Sequence, residues 1–186
     1  MSNSILGVKE VDLVYNNDKR GFFLEFFKAS KLHQTLGDSF QINQFNLSVS
    51  KKNTFRGIHF SNSVNPQHKF VTCIQGEIID FVIDLRLGSP TFAVFQKFKL
   101  NSRVGKAIYI PSGCGHGFLV NKDDSIVIYA QSSEYSPNYE HSLNYLDDSL
   151  GIKSEMISTP IISEKDLKAP NLSELIHLKL LPNFIV

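Results

Sequence analysis

Four side chains in this sequence have the chemistry of proton transfer and anion capture, and they are scattered over more than a hundred residues. His59 and Arg56 share the stretch "FRGIHF", where a cation and an imidazole interrupt an otherwise apolar strand pattern. An imidazole titrates near neutrality and can serve as a general base, but on an apolar strand it is more often a hydrogen-bonded core residue. A guanidinium cannot be neutralised, so a partly buried Arg56 calls for an anionic partner. Residues three apart on a strand point to opposite faces, and the pair serves one ligand only if Gly57 introduces a bulge. Tyr129, in "SIVIYAQSSEYSP", is either amphipathic packing or a phenolic acid facing His59. Asp166, in "ISEKDLKAP", is either a solvated turn residue or the acceptor that fixes an imidazole's tautomer and raises its basicity.

A fifth candidate is His116 in "PSGCGHGF", a glycine-rich turn feeding a strand. The form PxGxxH resembles the second signature of the cupin superfamily, whose metal-binding members add an HxH pair. Here His59 is followed by Phe60 and Ser61, so the pair is missing. A site improvised from His59, His68 and His116 has spacing unlike the usual ligand patterns, and no metal is expected.

The elements that must carry these residues are strands. Fifteen phenylalanines, no tryptophan, and eleven glycines and seven prolines that punctuate short apolar runs give the composition of a strand-rich chain. "FRGIHF", "KFVTCIQGEIIDFVIDLRL", "TFAVFQKFKL", "GKAIYIPSG", "HGFLV" and "SIVIYAQSSEY" read as strands. Turn chemistry separates them at Gln75-Gly76, Gly88-Ser89-Pro90 and Lys122-Asp123-Asp124. Short strands joined by hairpin turns predict an all-β antiparallel sandwich or barrel. Asp80 and Asp84, four apart, share one face, which is either partly solvated or lines a polar cavity. Helical pattern is confined to "EFFKASKLHQTLG", with Gly37 as its C-cap, and to "NLSELIHLKLL", with Ser173 as a cap of the first turn.

The bulk numbers exclude several function classes. Nineteen basic and eighteen acidic residues leave a formal charge of +1, so no global field draws nucleic acid or anionic membrane. No run approaches the roughly 18 apolar residues of a spanning helix, and the N-terminus lacks a signal-peptide pattern. A soluble, cytoplasmic protein is expected. The 186 residues suffice for one domain. Cys73 and Cys114 lack disulfide or zinc spacing and read as buried small residues.

Taken in order, the motifs resemble one family, the nucleotide-linked 4-keto-6-deoxysugar 3,5-epimerases of the dTDP-rhamnose pathway. The resemblance covers "DKRGFFLEFF", "QINQFNLSVSKKNTFRGIHF", "QHKFVTCIQGEIIDFVIDLRLGSPTF", "AIYIPSGCGHGFLV", the tyrosine strand with "EYSP", "DDSLGI" and "SEKD". It implies a metal-free and cofactor-free cupin jelly roll with short flanking helices. It implies that His59 is the general base, Asp166 its polarising partner, Tyr129 the acid on the opposite face of the sugar, and Lys69 the cation near the carbonyl. Arg20 and Arg56 fall where the family contacts the diphosphate. Phe23, Glu25, Gln44 and Asn46 fall around the nucleotide, and His116, Asp80 and Tyr135 are further substrate-binding positions. The expected partners are a dTDP- or CDP-linked sugar and a second copy of the chain.

In the homodimer that the resemblance implies, residues 1–50 reach toward the partner's site, 51–148 form the barrel and 149–186 a helical tail. The chain departs from the family pattern at Tyr109 and Tyr145, which replace tryptophans, and at Thr72, Ala130 and Glu134-Tyr135, expected around the pocket. The chemistry suits the residue types. A C–H beside the C4 ketone is acidic because the carbanion delocalises onto O4, so a base at the carbon and a donor at the oxygen are needed. The competing readings are a 3,4-ketoisomerase or metal-dependent cupin, and a sugar-nucleotide-binding module without catalysis.

Overall fold

The computed structural model describes residues 4–36 and 40–185. Its strands are β1 (Lys9–Asp12), β2 (Tyr15–Asp18), β3 (Gly21–Leu24), β4 (Gln44–Ser50), β5 (Phe55–Ser61), β6 (Lys69–Gln75), β7 (Glu77–Asp84), β8 (Phe95–Asn101), β9 (Lys106–Ile110), β10 (Cys114–Val120), β11 (Ser125–Gln131) and β12 (Glu140–Ser142). Helices α1 (Ala29–Leu36), α2 (Glu164–Leu167) and α3 (Leu172–His177) flank them. One antiparallel sheet runs β1-β9-β6-β11-β4, a second β12-β5-β10-β7-β8, and β2-β3 form a separate ribbon.

The all-β antiparallel sandwich predicted from the strand pattern is thus observed, but the turns work differently from hairpins. Gln75-Gly76 joins β6 in one sheet to β7 in the other, and Lys122-Asp123-Asp124 likewise carries β10 across to β11. Of the three predicted turns, only Gly88-Ser89-Pro90 links hydrogen-bonded neighbours, β7 and β8. From β8 to β12 each strand crosses to the opposite sheet, so residues near in sequence end on facing walls.

Burial follows the two-residue period of each strand. On β4, Gln44, Asn46 and Ser48 turn inward while Phe45, Leu47 and Val49 are exposed outward. All seven residues of β10 are buried, because one face meets the other sheet and the opposite face is covered by the C-terminal segment. That cover packs Leu143, Tyr145, Leu150, Ile152, Leu172, Leu175 and Leu181 onto Phe55, Phe60, Phe81 and Ile83. The outer face of the first sheet receives Leu32 of α1 and Phe40 against Phe70, Tyr109 and Ala130. Between the sheets, Val71, Ile78, Val82, Leu100, Ile108 and Val127 fill one end. Where that apolar fill stops, polar side chains face one another across open space.

Two helix expectations are corrected. The cap of α3 is Asn171, whose side chain accepts from the Glu174 N–H while Glu174 reaches back to the Asn171 N–H; Ser173 lies inside the helix. The reciprocal box is available only to a residue three before a Glu or Gln, and Ser173 is not. Helix α1 starts at Ala29, later than its apolar pattern, and Gly37 lies outside the described residues.

Candidate active site

A cavity of about 870 Å³ opens between the two sheets. From the first sheet it is lined by Lys69 on β6, Tyr129 and Gln131 on β11, and Gln44, Asn46 and Ser48 on β4. From the second come Arg56 and His59 on β5, His116 and Phe118 on β10, and Glu140 and His141 on β12. The C-terminal segment closes the rim with Ile161, Ile162, Ser163, Lys165 and Asp166.

The bulge that Arg56 and His59 required exists. His116 pairs with His59 and Phe118 with Arg56, so Gly57 and Ile58 on β5 stand opposite Gly117 alone. Gly57 has φ of +119°, and a Cβ there would lie 2.6 Å from Gly117 Cα and 2.8 Å from the His116 carbonyl oxygen. Only glycine fits this close approach of two backbones. One extra residue reverses the alternation, and both side chains border the same cavity. Arg56 is exposed rather than partly buried: its Nε donates to Ser50 Oγ at 3.0 Å, and no carboxylate pairs with it among the described residues.

His59 Nε2 lies 2.7 Å from Asp166 Oδ1. Asp166 is no solvated turn residue. Ser163 caps α2 by accepting from the Asp166 N–H, and the carboxylate beneath is 5% exposed. Burial pushes its pKa up, but the hydrogen bond and charge of His59, with further bonds from Ser163 and the Gly57 N–H, hold the net value below the usual range. An ionised Asp166 accepts from Nε2–H, which leaves Nδ1 as the basic nitrogen. Nδ1 has no hydrogen-bond partner among the described residues.

On the facing wall, burial raises the pKa of Tyr129, Glu140 adds to the rise, and Arg56 opposes it. The phenol therefore stays protonated well into alkaline solution. Its ring packs edge-on to His116 at 6.4 Å between centroids. His116 Nε2 in turn lies 2.7 Å from Asp80 Oδ2, with both side chains buried. Burial lowers the pKa of Lys69, while Glu140, Asp80 and Cys114 act in the opposite direction.

Of the thirteen predicted site residues, the cavity brings together His59, Asp166, Tyr129, Lys69, Arg56, Gln44, Asn46, His116 and Tyr135, with Asp80 bonded behind His116. Three stand elsewhere in the chain. Arg20 is exposed and paired with Asp18, Phe23 is exposed on β3, and Glu25 sits 3.7 Å from Lys28. Asp84 shares the inward face of Asp80 but is taken up by Arg86, Ser89 and Thr91. His68 is turned away from any shared imidazole cluster, with its Nδ1 2.7 Å from the Tyr109 hydroxyl. Cys73 and Cys114 are buried, their thiols pushed by burial up to about 11 and about 12.

Most departures from the family pattern lie outside the pocket. Thr72 is on the outer face of β6, where its hydroxyl donates to the Lys106 carbonyl; Ala130 is buried under α1; Tyr109 and Tyr145 belong to the two outer clusters. Tyr135 alone among them lines the cavity. Gln131, Glu140 and Lys165 were missed. Gln131 shares the Tyr129 face by strand alternation and was legible; Glu140 lies on a three-residue edge strand with no pattern of its own.

The family profile described as dTDP-4-dehydrorhamnose 3,5-epimerase matches residues 2–174. The chain belongs to the dTDP-4-dehydrorhamnose 3,5-epimerase family. It is 38% identical to a dTDP-4-dehydrorhamnose 3,5-epimerase of Mycolicibacterium smegmatis over 97% of this chain and 89% of that protein. Among solved structures, it is 36% identical to a 4-keto-6-deoxy sugar epimerase from the novobiocin gene cluster of Streptomyces spheroides, with a TM-score of 0.92 over 97% of this chain and 90% of that one. A 3'-monoepimerase from Streptomyces bikiniensis, solved with dTDP-quinovose, matches at 36% identity and a TM-score of 0.92 over 97% of this chain and 91% of that one. As a member of this family the protein is a carbohydrate epimerase with the cupin-like sandwich of these relatives. No described helix of this epimerase is long and apolar enough to cross a membrane.

Proposed function

We propose that the protein inverts C3, or C3 and C5, of a dTDP-linked 4-keto-6-deoxyhexose by proton removal beside the ketone and return from the other face. The observation that supports it most is the arrangement of one dyad and one phenol: His59 with Asp166 on one wall, Tyr129 on the wall opposite. His59 takes the C–H proton, and the electron pair delocalises onto O4. Lys69 donates to that oxygen as charge develops. Tyr129 delivers a proton to the opposite face, leaving imidazolium and phenolate that solvent resets. Arg56, which has no acidic partner among the described residues, meets the diphosphate, and Gln44 and Asn46 meet the nucleotide.

The reading includes a homodimer in a cytoplasmic setting. Arg20, Phe23 and Glu25 do not reach the cavity of their own chain, and the outward row Phe45, Leu47 and Val49 lies exposed along edge strand β4. A second copy covering that row brings its own residues 1–50 to the neighbouring cavity. The deciding experiment is proton NMR in deuterated water with dTDP- and CDP-linked 4-keto sugars. Deuterium enters the product at each inverted carbon; no exchange with any of them ends the proposal.

A further inference from the structure

Lys69 is buried, yet among the described residues its ammonium makes no hydrogen bond and no ion pair. Glu140 on β12, Asp80 on β7 and Cys114 on β10 act on it electrostatically, and the other titratable or charged groups of the same cavity are Arg56 and His59 on β5, His116 on β10, Tyr129 on β11, His141 on β12, and Lys165 and Asp166 on α2. Most are committed elsewhere or uncharged near neutrality. The Asp80 carboxylate is bonded by His116 through Oδ2 alone, with Oδ1 unpartnered among the described residues, and burial pushes its pKa up toward the neutral form; the Asp166 carboxylate is bonded by His59, the Tyr129 phenol stays protonated, and the Cys114 thiol is pushed up to about 12. Glu140 differs, because its bonded partner is a neutral amide: Gln67 Nε2 donates to its Oε1 at 2.7 Å.

Gln67 stands behind Glu140 and is 5% exposed. It precedes β6 by two residues, whereas Glu140 sits on the opposite sheet at edge strand β12, so the hydrogen bond crosses the sandwich. The backbone around it is pinned on both sides. The Gln67 N–H donates to Ser112 Oγ at 3.1 Å, the His68 N–H to Ser132 Oγ at 2.8 Å, and the Ser132 hydroxyl to the Pro66 carbonyl at 2.8 Å. Strand β12 has three residues and, among the described residues, pairs with β5 alone, so it fixes the Glu140 side chain poorly by itself. We infer that Gln67 is a positioning residue, which holds the Glu140 carboxylate in the cavity as the counter-charge of Lys69.

The residue type matters. A lysine or arginine at 67 would neutralise Glu140, and an apolar side chain would release it; an amide orients the carboxylate and leaves its charge available to Lys69. The inference rests on the proposed epimerase reading for its catalytic meaning, but its electrostatic content is separable. Lys69 is titrated by heteronuclear NMR of its side chain in the free wild-type, Gln67→Leu, Glu140→Gln and double-variant proteins, alongside the pH profile of solvent deuterium exchange. Glu140→Gln, which keeps the shape and removes the charge, lowers the Lys69 midpoint. Gln67→Leu lowers it in the same direction by less, and adds nothing in the Glu140→Gln background. An unchanged midpoint in Gln67→Leu, or a further fall in the double variant, overturns the inference. A wild-type protein that exchanges no deuterium overturns the epimerase reading instead, while the titration still decides the role of Gln67.

Discussion

Nε2 of His59 and Oδ1 of Asp166 lie 2.7 Å apart although the residues are 107 positions apart in the chain. The contact exists because the C-terminal segment is tied to the start of β5, with the Phe55 N–H donating to the Ile161 carbonyl and the Ile161 N–H to that of Asn53. It fixes which nitrogen of the imidazole carries the proton. On the proposed mechanism, Asp166→Asn removes that control and cuts deuterium exchange by about 10²–10³-fold, with a smaller effect on KM. His59→Ala falls to the same floor or lower. An Asp166→Asn variant within threefold of wild type would show that the dyad is structural.

Tyr129 offers a sharper separation of the two half-reactions. In Tyr129→Phe, His59 still removes a proton and returns one to the same face, so solvent deuterium enters the unreacted substrate. Product of inverted configuration falls by about 10²-fold or more. NMR of recovered substrate and product distinguishes this from loss of binding, where exchange and inversion vanish together.

Lys69 predicts the alkaline limb. On the proposed mechanism catalysis needs the ammonium, whose population falls as pH rises through its pKa, and burial places that pKa below the ordinary lysine value of about 10.4. Tyr129 is shifted upward by burial and does not supply this limb. Exchange by the wild type therefore declines at a pH below the ordinary lysine range. Lys69→Arg, slower because its fork fits a point-charge site poorly, retains its residual rate to higher pH, since arginine does not titrate there. A limb at the same pH in both proteins would assign it to another group.

The strand pattern was legible because alternation is local. Phe45, Leu47 and Val49 against Gln44, Asn46 and Ser48 announces which face of β4 is polar before any partner is known. The turns at Gln75-Gly76 and Lys122-Asp123-Asp124 were legible as turns but not as sheet crossings, since turn chemistry does not record which strand lies next in space. Cross-sheet partners were the hidden part. Residue type marks Gln67 and Glu140 as polar and nothing more, and their meeting depends on how a three-residue edge strand docks. Thr72 shows the converse error: alternation from Lys69 puts it on the outer face, so its departure from the family pattern carries no message about the pocket.

The exposed row on β4 predicts an oligomer whose loss disables the site. Its register sets Leu47 and Val49 beside the half-buried Ile128 and Ile126, extending an exposed apolar face, while Ala130 beside Phe45 is already covered by α1. A Leu47→Glu, Val49→Glu double variant puts unpaired charges there. If the proposed homodimer forms through this row, sedimentation velocity is expected to show a dimeric wild type and a monomeric variant, with the far-ultraviolet spectrum unchanged. On the proposed arrangement nucleotide affinity falls with it, because Arg20, Phe23 and Glu25 would no longer be carried to a neighbouring cavity. A variant that remains dimeric moves the interface elsewhere, and a monomer with full affinity removes the proposed role of the N-terminal residues.

Gly57 is the position where fold and chemistry depend on a single missing methyl. Alanine there combines φ of +119° with contact to the backbone of β10, at Gly117 Cα and the His116 carbonyl, and neither can turn aside as a flexible side chain would. Relief requires β5 and β10 to separate or the bulge to be lost. Separation breaks the centre of the second sheet, so Gly57→Ala is expected to cost about 3 kcal/mol or more, read as a fall in the urea midpoint. Loss of the bulge restores strict alternation and turns either Arg56 or His59 out of the cavity. The folded fraction of the variant then loses either exchange chemistry or diphosphate binding, and comparing kcat with KM identifies which. Gly117→Ala approaches the same site from the other strand, with a Cβ 2.9 Å from the Arg56 carbonyl, and is expected to act in the same direction. Wild-type stability and activity in both variants would mean that the bulge does not set the geometry of the site.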